Sequence, residues 1–199
     1  MDAVVMVSAA YLIGSIPVPY LVARLVADVD VRAAGEGNVG ARNVFHVVGA
    51  SWGIVAFVAD FGKGALVAAL FGGETVWKLA LAGGAVLLGH AFPVWLGFVG
   101  GKGLSTIGGF TVVLMPWAAV IGTAAAAATW AMSKRFLPTT VVAIVVSIIA
   151  GPATGVSWSV VATVVGLFAL TGVKRALDER RMRVVEARTG WDRVRGLGS

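Results

Sequence analysis

A series of apolar segments constrains the fold of this 199-residue chain more than any other feature. They cover residues 4–23, 44–71, 79–98, 105–132, 139–149 and 158–173, and Pro116 divides the fourth in two. A helix needs about 20 apolar residues to cross a bilayer, and helices satisfy all of their backbone hydrogen bonds internally. The pattern therefore predicts an all-α, polytopic membrane protein with about seven transmembrane helices.

The composition agrees with lipid as the solvent of these segments. Hydrophobic residues make up 58% of the chain and charged residues 13%, and the mean hydropathy is +0.91. A soluble core of this size cannot cover so much apolar surface. We therefore predict a single transmembrane domain over residues 1–175, followed by a basic cytoplasmic tail over residues 176–199.

The positive charges predict an orientation. Fourteen of the 16 lysines and arginines lie in residues 24–43, 100–103 and 134–135 or after Val173. Seven spans place these four stretches on one side of the membrane. Because positive residues accumulate on the cytoplasmic side, we expect the N-terminus outside and the C-terminus in the cytoplasm. Eight of the 16 lysines and arginines lie after Val173, where a cytoplasmic basic tail explains them, so we expect no nucleic-acid partner.

Several classes of reactive site are disfavoured by residue types alone. The chain has no cysteine and two histidines, which excludes disulfides and thiolate metal sites and disfavours a metal site built from histidine. No serine–histidine–aspartate order and no catalytic pair of carboxylates is recognisable. We therefore assign no metal ligand and no cofactor.

A glycine-rich loop precedes the second apolar segment. Residues 35–43 read Gly-Glu-Gly-Asn-Val-Gly-Ala-Arg-Asn. Glycines let backbone amides turn towards an anion, and the N-terminus of the following helix adds a partial positive charge. The loop is therefore a candidate phosphate cradle. For three glycines alone, an ordinary turn between two membrane helices is the more common explanation.

Lys102 is a second candidate, because it lies between Gly101 and Gly103 soon after His90. Its ammonium group could approach a phosphate or carboxylate without crowding from neighbouring side chains. The spacing is not that of a Walker A motif. A charge that anchors a helix end explains Lys102 equally well, and a histidine like His90 is more often a packing residue.

Asp60 and Lys63 form a third candidate within the second apolar segment. Their spacing places them on one helix face, where an ion pair is expected because an isolated charge in hydrocarbon is costly. Such a pair either takes part in function or joins two helices structurally, and the sequence leaves both readings open.

Taken together, four elements resemble the bacterial acyl-phosphate:glycerol-3-phosphate acyltransferases. They are residues 10–17 (Ala-Tyr-Leu-Ile-Gly-Ser-Ile-Pro), the loop 35–43, Asp60 with Lys63-Gly64, and Gly89-His90-Ala91-Phe92-Pro93 through Gly101-Lys102-Gly103. Their order and spacing match over roughly residues 8 to 110. The resemblance also implies seven helices with an external N-terminus, as the charges indicate independently.

The resemblance implies an activity. This family transfers a fatty acyl group from acyl phosphate to the sn-1 hydroxyl of glycerol 3-phosphate and so makes lysophosphatidic acid for phospholipid biosynthesis, without acyl-CoA or a metal cofactor. We accordingly expect a multi-pass protein of the bacterial inner (plasma) membrane, with acyl phosphate, glycerol 3-phosphate and membrane lipids as partners. The resemblance does not define its oligomeric state.

The resemblance also implies residue roles. Lys102 would neutralise substrate phosphate, His90 would line the same site, and His46 would donate a hydrogen bond there. An apolar groove between helices would take the acyl chain. The residues implied to bind substrate are Gly35, Gly37, Asn38, Gly40, Arg42, Asn43, Asp60, Lys63, Gly101 and Gly103.

Four departures from the family pattern keep a second function open. Glu36 replaces a serine, Arg42 a threonine and His46 an arginine, and the segment after Val173 lacks the family's asparagine although it contains Arg175, Arg180, Arg181 and Arg183. The alternative is a non-catalytic relative that binds a phosphorylated lipid or regulates an active acyltransferase. A small transporter is a third class, disfavoured because no inverted repeat is evident.

Overall fold

The computed structural model describes residues 2–191, and all regular structure in this range is helical. The helices are α1 (Ala3–Ser15), α2 (Val18–Ala27), α3 (Ala41–Val47), α4 (Ala50–Phe71), α5 (Val76–Ala91), a short 3₁₀ helix (Val94–Leu96), α6 (Leu104–Leu114), α7 (Pro116–Ser133), α8 (Phe136–Ala153) and α9 (Trp158–Thr189). The predicted all-α class is confirmed.

Five helical stretches are long and apolar enough to cross a membrane. They are Ala3–Ala27, Ala50–Phe71, Val76–Leu96, Phe136–Ala153 and Trp158–Thr189, and α6 is a shorter apolar helix. A membrane protein is therefore confirmed by length and composition, whereas the count of seven spans and their orientation stay predictions.

Prolines divide the chain where the sequence indicated. α1 ends at Ser15 and α2 begins at Val18, directly after Pro17. α6 and α7 meet at Met115, directly before Pro116. Proline lacks the amide hydrogen that a continuous helix needs and clashes with the preceding turn, so both breaks follow from the residue itself.

The second and the sixth predicted segments differ from the structure. The single segment predicted over residues 44–71 is wrong, because α3 and α4 are separated at Gly49, whose φ of 135° lies outside the helical region. The sixth segment, predicted over 139–149, is longer and runs from Phe136 to Ala153. Apolar residues flank Gly49, so hydropathy carried no sign of that boundary, whereas Lys134 and Arg135 directly precede the observed start of the sixth segment.

α9 continues past the predicted end of the last segment at Val173 and reaches Thr189. The boundary predicted between residues 175 and 176 thus falls inside a continuous helix. Residues 192–199, the end of the predicted tail, lie outside the described residues. The division into a membrane domain and a tail stays a prediction.

Close contacts between glycines and backbone bring α4 against α6. A Cβ atom at Gly64 would lie 1.7 Å from the carbonyl oxygen of Thr106, and one at Gly109 would lie 1.9 Å from that of Phe61. Small residues allow such approach in membrane helices, where association depends on packing. Phe110 of α6 is fully buried in the core beside this contact.

We predict that Gly64→Ala destabilises the fold, because its methyl group would overlap the backbone of α6. Overpacking of this kind costs about 1–3 kcal/mol of unfolding free energy. Gly62→Ala is the matched control, since a Cβ there meets no atom within 4 Å. Thermal unfolding in detergent should show a lower midpoint for Gly64→Ala alone, and equal midpoints would contradict the close contact.

Candidate functional site

The side chain of Asn43 organises the glycine-rich loop from within. Its Nδ2 donates hydrogen bonds to the carbonyl oxygens of Val31 (2.9 Å), Ala34 (2.9 Å) and Asn38 (3.0 Å). Its Oδ1 accepts one from the backbone N–H of Glu36 at 2.9 Å. Asn43 is fully buried. Its amide is thus used by the loop backbone, which makes Asn43 a residue that shapes the loop.

Two glycines give the loop its path. Gly35 and Gly37 have φ values of 56° and 67°, in the left-handed region that other residues rarely adopt. A Cβ at Gly35 would lie 2.3 Å from Oδ1 of Asn43, and one at Gly37 would lie 2.9 Å from Cβ of Val185. Both positions therefore require glycine for conformation and for space.

The C-terminal part of α9 holds the same two glycines from the other side. Arg181 Nη1 donates to the carbonyl oxygen of Gly37 at 2.8 Å. The hydroxyl of Thr189 lies 3.1 Å from the carbonyl oxygen of Gly35 and 2.9 Å from that of Val185, which share its single proton. Sequence analysis named Arg181 as part of a basic tail and missed these contacts. The available signal was the cluster of arginines after Val173, which is equally typical of a solvated tail.

An ion-pair chain on α9 connects this loop to the segment after His90. Lys174 is buried, is paired with Asp178, and has its Nζ 4.8 Å from the centroid of the Phe92 ring. Asp178 Oδ2 lies 3.6 Å from Arg181 Nη2. Sequence analysis did not single out Lys174 or Asp178. They are recognisable only once α9 is known to continue as a helix, which places them four residues apart on one face.

The predicted pair of Asp60 and Lys63 is present, with 2.8 Å between Oδ1 and Nζ. Lys63 Nζ also donates to the carbonyl oxygen of Ile16 at 3.2 Å, where the chain breaks between α1 and α2. His90 Nδ1 lies 3.5 Å from Asp60 Oδ1, and all three charged or titratable side chains are buried. The cluster therefore joins α4 to the first helix pair and to the end of α5.

A cavity of about 480 Å³ lies beside the glycine-rich loop. It combines cationic, acidic and apolar side chains. Its lining consists of Glu36, Arg42, Lys102, Phe136, Leu137, Arg175, Glu179, Met182, Arg183 and Glu186. Four cations, three carboxylates and an apolar wall together suit a ligand with an anionic head and a hydrocarbon chain.

Lys102 faces this cavity from the turn before α6. Gly103, which follows it, has a φ of 85°, so the backbone turns sharply there. Burial lowers the pKa of Lys102 from its ordinary value. The carboxylate of Glu36 opposes that shift, whereas Arg175 and Arg42 reinforce it. Lys102 therefore interacts electrostatically with the other charged groups of the cavity.

Glu36 and Arg42 form an ion pair at the edge of the loop, with 3.2 Å between Oε1 and Nε. The Glu36 side chain is 2% exposed and that of Arg42 is 39% exposed. The guanidinium carbon of Arg42 lies 5.1 Å from the centroid of the Phe136 ring. The acidic residue that departs from the family pattern is thus buried against the cavity.

The structure separates the residues predicted as catalytic. Lys102 lines the cavity, together with Arg42 from the predicted binding set. His46 is exposed and its ring centroid lies 4.9 Å from that of Trp191. Neither His46 nor His90 is among the cavity-lining residues. The catalytic roles predicted for the two histidines stay predictions.

The comparison with known families gives a clear result. The model of the family described as "Glycerol-3-phosphate acyltransferase" matches residues 4–181. The chain belongs to this family. The glycerol-3-phosphate acyltransferase of Anaeromyxobacter dehalogenans (strain 2CP-C) is 42% identical over 138 residues, which cover 65% of this chain and 68% of the relative. The glycerol-3-phosphate acyltransferase of Anaeromyxobacter sp. (strain Fw109-5) is 38% identical over 199 residues, covering 90% and 96%.

Solved structures agree with the family match. The glycerol 3-phosphate form of PlsY (YgiH), an integral membrane glycerol 3-phosphate acyltransferase, is 31% identical, with a TM-score of 0.78 and coverage of 96% of this chain and 94% of that chain. Its lysophosphatidic acid form is 29% identical, with a TM-score of 0.75 and the same coverage. The predicted resemblance is confirmed, and the chain is an integral, multi-pass membrane protein with bacterial relatives.

We predict that Arg181→Ala loosens the glycine-rich loop, because the carbonyl oxygen of Gly37 would lose its charged hydrogen-bond donor. A hydrogen bond from a charged group contributes about 1.5 kcal/mol or more, so amide hydrogen exchange in residues 35–43 should accelerate about tenfold or more. Arg180→Ala is the control, since Arg180 is exposed. Equal exchange in the two variants would show that α9 does not hold the loop.

Proposed function

We propose that this chain transfers a fatty acyl group from acyl phosphate to the sn-1 hydroxyl of glycerol 3-phosphate, forming lysophosphatidic acid at the cytoplasmic face of the plasma membrane. The observation that carries the proposal is the cavity in which Lys102, Arg42 and Arg175 lie beside an apolar wall. Family membership and the likeness to a structure bound to glycerol 3-phosphate support it.

The charges of the cavity fit two phosphate-bearing substrates. Arg42 is paired with Glu36, and Arg183 is paired with Glu179 at 2.7 Å. Among residues 2–191, no carboxylate lies within ion-pair distance of Lys102. Lys102 is therefore the cation that we assign to neutralise substrate phosphate, with Arg175 beside it in the lining.

The apolar wall assigns a place to the acyl chain. Phe136 and Leu137 begin α8, and both are exposed on the helix surface. An acyl phosphate whose head contacts Lys102 can lay its hydrocarbon chain across these side chains towards lipid. Burying that chain against apolar surface contributes about 25 cal/mol per Å².

The reaction requires positioning and charge stabilisation. The hydroxyl oxygen attacks the acyl carbonyl carbon, the bond from that carbon to the phosphate oxygen breaks, and phosphate leaves with the electron pair. The hydroxyl proton ends on the released phosphate or in solvent. Lys102 stabilises the negative charge that develops on the phosphate. This lowers the activation barrier most when the ammonium group is already in place before the reaction.

The remaining predicted residues act through the shape of the site. Asn43 and the loop glycines Gly35, Gly37 and Gly40 place backbone amides for a phosphate, together with Asn38. Gly101 and Gly103 set the turn that presents Lys102. Asp60, Lys63 and His90 keep α4 and α5 in register beside that turn. We infer that these are positioning roles.

We also propose seven spans with the N-terminus outside, formed by α1 with α2, and by α4, α5, α6, α7, α8 and α9. This orientation places residues 28–40, 97–103, 134–135 and the end of α9 in the cytoplasm, and a basic tail after them. Segments from all of these regions or their immediate neighbours line the cavity, which supports a cytoplasmic site.

The orientation can be tested by labelling, since the chain contains no cysteine. We predict that Gly73→Cys, between α4 and α5, reacts with a membrane-impermeant maleimide in spheroplasts. Lys134→Cys, between α7 and α8, should react only after permeabilisation. The reverse pattern, or labelling of both positions in intact spheroplasts, would contradict the proposal.

The activity can be tested with purified protein, palmitoyl phosphate and glycerol 3-phosphate. We predict that Lys102→Ala lowers lysophosphatidic acid formation by at least about 100-fold, because the leaving phosphate loses its cation. Lys134→Ala is the control, as Lys134 is an exposed lysine outside the cavity. Wild-type protein that forms no product would sink the acyltransferase assignment.

The pH dependence gives a second readout of Lys102. Because burial lowers its pKa, the ammonium loses its charge as the pH rises through that lowered value, so activity should fall at a pH below the ordinary pKa of lysine. In Lys102→Arg the guanidinium stays protonated, so the alkaline decrease in any remaining activity should move to higher pH. If the alkaline decrease in activity stayed at the same pH in this variant, a group other than Lys102 would cause it.

A non-catalytic relative is the second candidate function. It is favoured by the buried carboxylate of Glu36, which places a negative charge beside a proposed phosphate site. Such a protein would bind glycerol 3-phosphate or lysophosphatidic acid and form no product from acyl phosphate. Binding measured by calorimetry without turnover would support this candidate.

A further inference from the structure

Glu36 is a buried carboxylate that lines the cavity to which we assign the anionic substrates. Its side chain is 2% exposed, and Arg42 Nε is 3.2 Å from its Oε1. It also acts electrostatically on Lys102, whose ammonium it favours. Glu36 therefore interacts with Arg42 and Lys102, which are two of the cations that we assign to substrate phosphate.

We propose that Glu36 is an internal anion that sets the affinity of this chain for phosphate-bearing ligands, which bind by displacing its carboxylate from Arg42. The inference rests on the proposed function and deepens it by naming the residue that competes with substrate. In the structure the carboxylate of Glu36 is paired with Arg42, and a bound phosphate replaces it as the partner of that cation.

The burial of Glu36 distinguishes it from Glu179, which is also a paired acid of the cavity. Glu179 and Arg183 are 57% and 75% exposed, so water can solvate either charge when the other moves away. Arg42 is 39% exposed and Glu36 is not, so the carboxylate depends on its pairing far more than Arg42 does. Phosphate binding must therefore compensate for separating this pair.

The contact geometry makes the exchange local. Oε1 of Glu36 accepts no hydrogen bond among the described residues, although Arg42 Nε is close. The backbone N–H of Glu36 is held by Asn43 at 2.9 Å, so the loop backbone does not have to move. Rotation of the Glu36 side chain alone releases the guanidinium of Arg42 to a phosphate in the cavity.

The exchange has a consequence for turnover. Each cycle releases inorganic phosphate, which competes with both substrates for the same cations. An internal carboxylate that returns to Arg42 weakens phosphate binding and so limits inhibition by this product. The residue would thus trade substrate affinity for faster product release.

Calorimetric titration of the purified full-length protein in detergent tests the proposal, with inorganic phosphate and glycerol 3-phosphate as separate probes. Glu36→Gln keeps the side-chain volume and removes the charge, so the dissociation constant for both probes should fall at least about fivefold, because like charges in one site oppose binding. Glu36→Ser is a second variant and should change the constant in the same direction.

Asp28→Asn is the matched control, since it removes one exposed, arginine-paired carboxylate outside the cavity, and asparagine tolerates the left-handed conformation of this position. We expect its dissociation constants to change by less than about twofold, as charges in water are screened. Folding of each variant is checked by its thermal midpoint in the same detergent. A well-folded Glu36→Ser keeps the test valid if Glu36→Gln does not fold.

A double variant separates displacement from simple repulsion. If Glu36 acts by occupying Arg42, the gain from Glu36→Gln should shrink in an Arg42→Gln background. Additive effects of the two substitutions would show that Glu36 and phosphate do not compete for Arg42, and would overturn the proposal.

Other outcomes also decide the matter. Unchanged or weaker phosphate binding in both Glu36 variants would overturn the proposal and leave the pair a structural contact. A large loss of turnover with unchanged dissociation constants would also overturn it, because Glu36 would then act after substrate binding. Failure of the proposed function is distinguishable, because wild-type protein would then form no lysophosphatidic acid although the phosphate titrations still report on Glu36.

Discussion

The site depends on the left-handed turns at Gly35 and Gly37, because they direct the loop between α2 and α3 along the cavity. Hydrogen bonds hold these turns from two directions. Asn43 binds the loop backbone from within, and Arg181 of α9 binds the carbonyl oxygen of Gly37 at 2.8 Å. A backbone in this conformation stays ordered only while its polar groups are satisfied, so the shape of the glycine-rich loop is coupled to the packing of the last helix.

Three clusters of buried charge differ in where they lie in the fold. Asp60 with Lys63 joins α4 to the first helix pair, and Lys174 with Asp178 joins α9 to the segment after His90. Neither pair lines the large cavity. Glu36 with Arg42 does, and this difference in position is the reason we propose that an incoming anion competes for the third pair. A buried pair is costly to separate, so a pair that opens onto a binding cavity has consequences for every charged ligand that enters it.

The sequence predicted helical segments well and the contacts between them poorly. Pro17 and Pro116 break helices by their own chemistry, so both breaks were predictable. Gly49 divides α3 from α4 between apolar residues, and hydropathy does not register such a turn. The extension of α9 to Thr189 was hidden for another reason: a polar helix on a protein surface has the same composition as a solvated tail. His46 was assigned to the site by its place in the motif, and the helix it belongs to directs it towards Trp191.

The sequence by itself determined the membrane class, through long apolar segments, and the family, through four motifs in register. It also singled out Lys102 as a candidate, although a charge that anchors a helix end explained that lysine equally well. Only the tertiary structure decided which charges share a cavity. Glu36, Lys102 and Arg175 belong to three separate regions of the chain and meet because helices such as α4 and α6 pack with their backbones in close contact. Local periodicity shows which face of a helix is apolar, whereas the neighbours of a charged side chain depend on how every helix is placed against the others.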